Sequence, residues 1–348
     1  MNKGSILAVI ASALFGVSPV LAKLILGDMS PALLAGLLYL GSGVALFAVL
    51  LVQKKPVFQN FRKLSSLRRW KLLGATASGG ILAPLCLAYG IQKGTAFEVS
   101  LLLNLESVTT TVIAWLVFYE HVGKNVWLGK TLLVLGGVVI SVIPSNHMGI
   151  STSSLLVIGA CVFWGIDNNL TRDLEEVSPT VIASVKGLVA GVFNVGLALS
   201  LSVGEASIAE LTGVMFIGAM SYGVSLILFI EALRLIGASR TSSYFAVGPF
   251  FGMFFAVVLA GDRPENYQWG AVLLMAVGLW VLFKERHEHW HQHNSMTHQH
   301  KHIHDEHHRH LHSADVDSKL EPHDHIHNHN VFGHSHAHFP DTHHRHRH

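Results

Sequence analysis

Apolar positions in this chain come in long unbroken runs, not in the alternating or 3.6-residue patterns of half-buried elements. Ten runs are long enough to cross a bilayer as helices, which takes about 20 predominantly apolar residues. They lie near 5–26, 31–53, 71–91, 95–118, 125–144, 153–172, 179–202, 211–236, 240–261 and 267–284, and are called spans 1 to 10. With short loops they use nearly all of residues 1–284, which leaves no room for a separate soluble domain. The expected fold is an all-α integral membrane protein of ten transmembrane helices, embedded in the lipid bilayer. After residue 284 the pattern stops, and residues 285–348 form a different material.

The ten spans repeat as five and five. Span 1 reads SILAVIASALFGVSPVLAK from Ser5, and span 6 reads SLLVIGACVFWGIDNNLTR from Ser154. Phe15-Gly16 matches Trp164-Gly165 and Lys23 matches Arg172 at an offset of 149, while Glu120 matches Asp262 and Trp127 matches Trp269 at an offset of 142. Spans 2 and 7 both begin Ser-Pro, at Ser30-Pro31 and Ser178-Pro179. This is an N-cap followed by a proline at the first helical position, where its missing N–H costs nothing. Five is odd, so the second half is expected to run through the membrane in the opposite direction. Such inverted repeats place a binding site near the midplane between the halves. The expected organisation is a first repeat over 1–144, a second over 145–284 and a tail over 285–348.

Charge sets the orientation. The segment after span 2 carries Lys54, Lys55, Arg62, Lys63, Arg68, Arg69 and Lys71. With that segment placed in the cytoplasm, 14 Lys and Arg fall on its side and only Lys23, Lys93 and Arg263 on the other. Both termini are then cytoplasmic and the membrane is the cell membrane. Topology accounts for this basic loop better than nucleic-acid binding does, and no nucleic-acid partner is expected. Overall, 13% of residues are charged, about half the usual share of a soluble domain, roughly 25%. Glycine pairs such as Gly41/Gly43 and Gly187/Gly191 read as close-packing faces between membrane helices. No GxxxxGK[ST] loop is present, which disfavours ATP-driven pumping. Cys86 and Cys161 lie in apolar runs and form no redox or zinc motif.

These residues resemble the drug/metabolite transporter superfamily in its EamA-type branch. The resemblance rests on Ala13-Leu14-Phe15-Gly16, Phe163-Trp164-Gly165, Leu103-Asn104-Leu105-Glu106, Val247-Gly248-Pro249, and the acidic Glu120 and Asp262 before a Trp-containing last span. It covers residues 4–284 and implies movement of a small solute, often an amino acid, nucleoside or related metabolite, commonly coupled to an ion gradient. Two departures stand out. Glu106-Ser107 replaces the family's usual Glu-Pro pair and leaves no proline to kink span 4. Span 6 carries the unusually polar Asp167-Asn168-Asn169.

Charges inside the bilayer are costly and mark function by default. The candidate substrate or coupling residues are Glu106, Asn104, Lys186, Asp167, Asn168, Glu98 and Arg240. Glu106 lies eight residues beyond Glu98, about 12 Å deeper along a helix, and Lys186 reaches a similar depth from the other side. A Glu106–Lys186 pair is therefore expected. The alternatives are structural: Glu106 as a hydrogen-bond partner, Asp167 at a helix end beside Arg172, Arg240 as a surface anchor. Glu120 and Asp262 are expected to cap or orient the last span of each half.

Of the 25 histidines, 23 lie between His287 and His348. Many alternate with other residues, as in His287, His289, His291 and His293, again in His298, His300, His302 and His304, and again in His323, His325, His327 and His329. The tail is too polar to bury a core, so disorder is expected. Alternating imidazoles suit a borderline divalent ion such as zinc, nickel, cobalt or copper. No cofactor is required. The leading expectation is a secondary transporter, an exporter, of a small solute with a metal-binding tail, and a homodimer is a candidate assembly. The alternatives are a divalent-metal efflux permease fed by the tail, and a membrane-tethered metal store. No enzymatic activity is expected.

Overall fold

The computed structural model describes the backbone of residues 3–54, 64–120, 122–143, 149–172, 174, 177–201 and 204–284. In the tail it describes 287–293, 296–302, 323–329 and 332–338. The chain divides into Met1–Glu285, which holds all the described helices, and Arg286–His348.

Among the described residues, nine helices are long and apolar enough to cross a membrane. The sequence predicts ten, and the difference falls on span 9. The helix over Ser225–Phe245 continues through the expected loop, and a break at Ala246 and Val247 leaves Gly248–Val258 as an 11-residue segment. The chain still reverses there. Ser225 Oγ donates to the Ala11 carbonyl, the side chain of Ile236 lies beside Gly4, and the Phe245 carbonyl accepts from Ser12 Oγ. The path therefore runs down the first helix and returns along it.

Capping explains the span starts. Ser30 Oγ accepts from the Leu33 N–H at 3.3 Å, as its Ser-Pro start predicts. Ser151 accepts from the Ser154 N–H, and Thr95/Glu98, Ser207/Glu210 and Glu265/Gln268 form reciprocal boxes. Each device satisfies N–H groups that have no partner inside their helix.

The two halves share their irregularities. A π-helical segment occurs at Thr76–Leu82 in span 3 and again at Ala219–Val224 in span 8. Span 4 breaks between Ala96–Leu102 and Leu105–Phe118, and span 9 breaks before Gly248. Both correspondences fall at an offset of 143, close to the sequence repeat. Spans 1 and 6 differ. Span 1 divides at Val17 into Lys3–Gly16 and Ser18–Leu26, with Pro19 in the second first turn, while span 6 runs unbroken over Thr152–Thr171. The residue of span 6 that corresponds to Pro19 is Asn168.

Packing crosses between the halves. Span 2 lies along span 7, span 5 along span 10, span 1 along span 8, and span 6 along spans 3 and 4. The glycines allow this. A Cβ at Gly43 would stand 2.7 Å from the Gly187 carbonyl carbon, and one at Gly191 would stand 2.6 Å from the Leu40 amide nitrogen. A two-residue antiparallel ladder, Val142–Ile143 with Gly149–Ile150, precedes span 6.

In the tail, His287–His293 pairs antiparallel with Phe332–His338, and Met296–His302 with His323–His329. The histidine alternation becomes the register: His289 stands opposite His336, and His300 opposite His325. Where no secondary structure is expected, the backbone pairs as two-stranded ribbons. The expectation of disorder is not met over these four segments: imidazoles at every second position are themselves an extended-strand pattern, although such two-stranded ribbons are marginal in water by themselves.

Gly43→Val is expected to force spans 2 and 7 apart and to cost about 1–3 kcal/mol, read as a lower melting midpoint of the detergent-solubilised protein. Gly270→Ala, where a Cβ meets nothing within 4 Å, is the control and should melt with the native chain.

Candidate functional site

The site begins at the break in span 4. A break inside hydrocarbon leaves backbone groups that must find partners. Here side chains supply them. Asn104 Nδ2 donates to the Leu101 carbonyl at 3.0 Å, Ser107 Oγ donates to the Asn104 carbonyl at 2.8 Å, and Lys130 Nζ from span 5 donates to the Ser107 carbonyl at 2.9 Å. The helix is thus interrupted without the family's proline. Asn104 and Ser107 do locally what Pro249 does in span 9.

Beside this break lies a cavity of about 370 Å³. Its polar wall is Asn104, Glu106, Ser107 and Thr110 of span 4, Lys130 of span 5 and Asn168 of span 6. Its apolar wall includes Phe15 of span 1, Phe229 of span 8, and Phe245 and Pro249 of span 9. Both halves contribute. Every lining residue sits in the middle of its span or toward the end shared with residues 54–71. Asn168 Nδ2 donates to Glu106 Oε1 at 3.0 Å and lies 3.2 Å from Thr110 Oγ1, tying span 6 to span 4. The opposite ends of the spans are tied shut. Lys23 Nζ donates to the carbonyls of Ile91 and Gln92, the Asp262 carboxylate accepts from the Phe97 N–H at 2.8 Å, and Gln268 Nε2 donates to Glu98.

A second polar group stands on the other side of span 6. Lys186 of span 7 pairs with the Asp167 carboxylate, the aspartate buried and the lysine half-buried. The expected Glu106–Lys186 pair is therefore replaced by Asp167–Lys186. The reason is rotational: Asp167 and Asn168 are adjacent on one helix and point about 100° apart, so one meets span 7 and the other meets span 4. Gly79, in the π-helical segment of span 3, lets the backbone press against Asp167, and a Cβ there would collide with its carboxylate. The Gly79 carbonyl accepts from Tyr39 Oη at 2.8 Å and from Trp164 Nε1 at 3.1 Å.

The remaining predicted residues are spread out. Glu98 caps its own helix and accepts from Gln268, at the closed end and away from the cavity. Glu120 and Asp262 do not cap the last spans. Glu120 pairs with Arg172 of span 6, whose guanidinium also lies 4.4 Å from the Phe118 ring centre. Asp262 holds the start of span 4 in the other half. The side chains of Arg240 and of the tail histidines, His287 through His329 included, lie outside the described residues. Among the described residues, no three His, Cys, Asp or Glu side chains gather as a metal site. Cys161 is buried and Cys86 half-buried, and neither is in a disulfide.

Sequence reasoning missed Lys130, six residues inside span 5. The rule that singles out Lys186, a charge within an apolar run, applies equally to Lys130. It also missed the aromatic wall, since Phe15, Phe229 and Phe245 are ordinary in apolar runs and meet only on folding.

A helical membrane protein of two repeated halves, with an amphipathic cavity between them, belongs to the class of membrane transporters. The EamA-like transporter family matches residues 2–142 and again 151–284, and the chain belongs to that family. It is similar to an uncharacterized transporter of Methanothermobacter thermautotrophicus, 28% identical over 299 residues, covering 80% of this chain and 86% of that protein. A solved crystal structure, described only as that of a protein, matches with a TM-score of 0.60 at 16% identity, covering 81% of this chain and 97% of that one. That likeness shows the shared fold.

Lys186→Met alone should destabilise the protein by about 3–5 kcal/mol, because it strands the Asp167 charge. Combining it with Asp167→Asn should recover most of the loss. Denaturant titration of the four proteins of this cycle measures both effects.

Proposed function

We propose that the protein is a secondary active exporter that moves a small zwitterionic solute with an apolar side chain by alternating access between two inverted halves. The cavity carries this reading. It places a carboxylate, Glu106, and an amine, Lys130, on one wall and aromatic rings on the other. A solute ammonium fits Glu106, a solute carboxylate fits Lys130, and the apolar part fits Phe15, Phe229 and Phe245. The volume suits a molecule of amino-acid size.

The basic-loop count puts residues 54–71 and both termini in the cytoplasm. The cavity then faces the cytoplasm and its far side is closed, the state in which an exporter loads. The His-rich tail is read as a cytosolic binder of zinc, nickel, cobalt or copper that adjusts or accompanies transport. The permease reading, in which the metal is the cargo, draws on the same histidines. The cavity argues against it: one carboxylate beside a lysine is a poor seat for a divalent cation, which binds carboxylate-rich or imidazole sites.

Labelled L-phenylalanine is the test solute, with the full-length protein in lipid vesicles. The native protein should exchange it across the membrane, and Glu106→Gln and Lys130→Met should each lower exchange by about tenfold or more, the loss of one charge-assisted bond of about 1.5–3 kcal/mol. Equal exchange in all three would refute the assignment. For the tail, calorimetry with Ni²⁺ should show binding to the full chain and none after deletion of residues 287–348, with L-phenylalanine exchange retained. Loss of cellular nickel efflux on that deletion would favour the permease.

A further inference from the structure

Two carboxylates and one lysine stand around span 6, and the lysine is shared unequally. Lys186 pairs with Asp167, while Glu106 of span 4 receives a neutral donor from the next residue of span 6, Asn168. Asn168, which holds Glu106, directly follows Asp167, so the ion pair and Glu106 meet the same turn of span 6. Neither Asp167 nor Lys186 lines the cavity, whereas Glu106 does. Span 6 thus separates a buried ion pair from a solute site while joining them through consecutive residues.

We propose that Lys186 is a proton-controlled switch between these carboxylates: a proton taken up by Asp167 releases Lys186, which then pairs with Glu106 and displaces the solute's ammonium. The proposal rests on the reading of Glu106 as the ammonium site. The balance is simple. The Asp167 carboxylate takes one proton from water and becomes a neutral acid. Lys186 keeps its protons and its single positive charge throughout. Loss of that proton on the other side of the membrane returns Lys186 to Asp167 and frees Glu106 for the next solute. One proton therefore moves against one solute.

The physics favours a change of partner over a lone lysine. A charge left unpaired in a buried site is strongly unfavourable, and a lysine side chain is flexible enough to move between neighbours. The other titratable groups facing this cluster are Tyr39 of span 2, whose ring meets that of Tyr222 of span 8, Cys161 of span 6, and Lys130 of span 5 on the cavity wall with Glu106. Phenols, thiols and amines ordinarily lose protons above physiological pH, which leaves Asp167 and Glu106 as the groups that respond. The π-helical segment at Gly79 presses backbone against Asp167, so no side chain can enter from span 3 at that position.

The experiment uses the full-length protein in lipid vesicles with two readouts. Without solute, infrared difference spectra on acidification should show a protonated carboxyl band that shifts with ¹³C-aspartate labelling. It should vanish in the Asp167→Asn/Lys186→Met double variant, which removes both members of the pair and so avoids a stranded charge. In Glu106→Gln the band should appear only at lower pH, because freed Lys186 has no second carboxylate. With labelled L-phenylalanine, a pH gradient should drive accumulation by the native protein, and the ratio of driven accumulation to exchange should fall in the double variant to that of a gradient-free control. The switch is overturned if the aspartate band persists in the double variant, if none forms in the native protein across the physiological pH range, or if the double variant still accumulates solute on a gradient. A native aspartate band together with absent L-phenylalanine exchange would refute the solute reading and leave the proton site standing.

Discussion

The interruption of span 4 between Leu102 and Leu105, inside the membrane, is the constraint on which the cavity is built. Hydrocarbon offers no partner to a bare carbonyl, so a helix can open inside a membrane only where protein groups fill the gap. Where span 4 opens, Asn104 and Ser107 donate to the carbonyls of Leu101 and Asn104, and Lys130 donates to that of Ser107 one turn further on. Just beyond the opening, Glu106 accepts from Asn168 of span 6. The same groups that repair the backbone line the cavity, so structure and recognition use one set of atoms. This is why a polar site can exist here without a stranded donor or acceptor at its centre.

A second constraint is close approach. Spans 2 and 7 meet backbone to backbone through Gly43, Gly187 and Gly191. Where helices touch this closely, small residues replace the hydrophobic driving force that lipid cannot supply. The scaffold pairs, 2 with 7 and 5 with 10, contain one member from each half. Span 6 leaves its own half to pack on spans 3 and 4, and span 1 packs on span 8. The cavity is bounded by this exchange, so neither half alone could form it. Asn168 reaches Glu106 only because span 6 lies against span 4.

Membrane insertion, ten runs, two repeats and family membership were legible in the sequence. Apolar run length and paired motifs carry that information locally, without any need to know which helices touch. Glu106, Asn104 and Asn168 were also legible as intramembrane polar residues, and all three line the cavity. The partner of Lys186 was not. Depth along a helix can be counted from sequence, but facing direction depends on helix rotation and on which spans are neighbours. Depth alone favoured Glu106, and rotation gave Asp167. Glu120 and Asp262 show the same limit: their matched positions are visible in the repeat, while their partners, Arg172 and the Phe97 N–H, belong to the other half.

The sequence by itself determined that this chain is a membrane transporter of two related halves, because burying apolar runs in lipid is a property of composition and length. It also determined that 23 histidines follow the last span, a chemical fact that needs no fold. Only the tertiary structure decided that the helix break survives without proline, that Lys130 belongs to the site and that Lys186 answers to Asp167. Those outcomes depend on which carbonyls lack a partner and which side chains are near enough to supply one. Distances between spans set both, and the linear order of residues does not contain them.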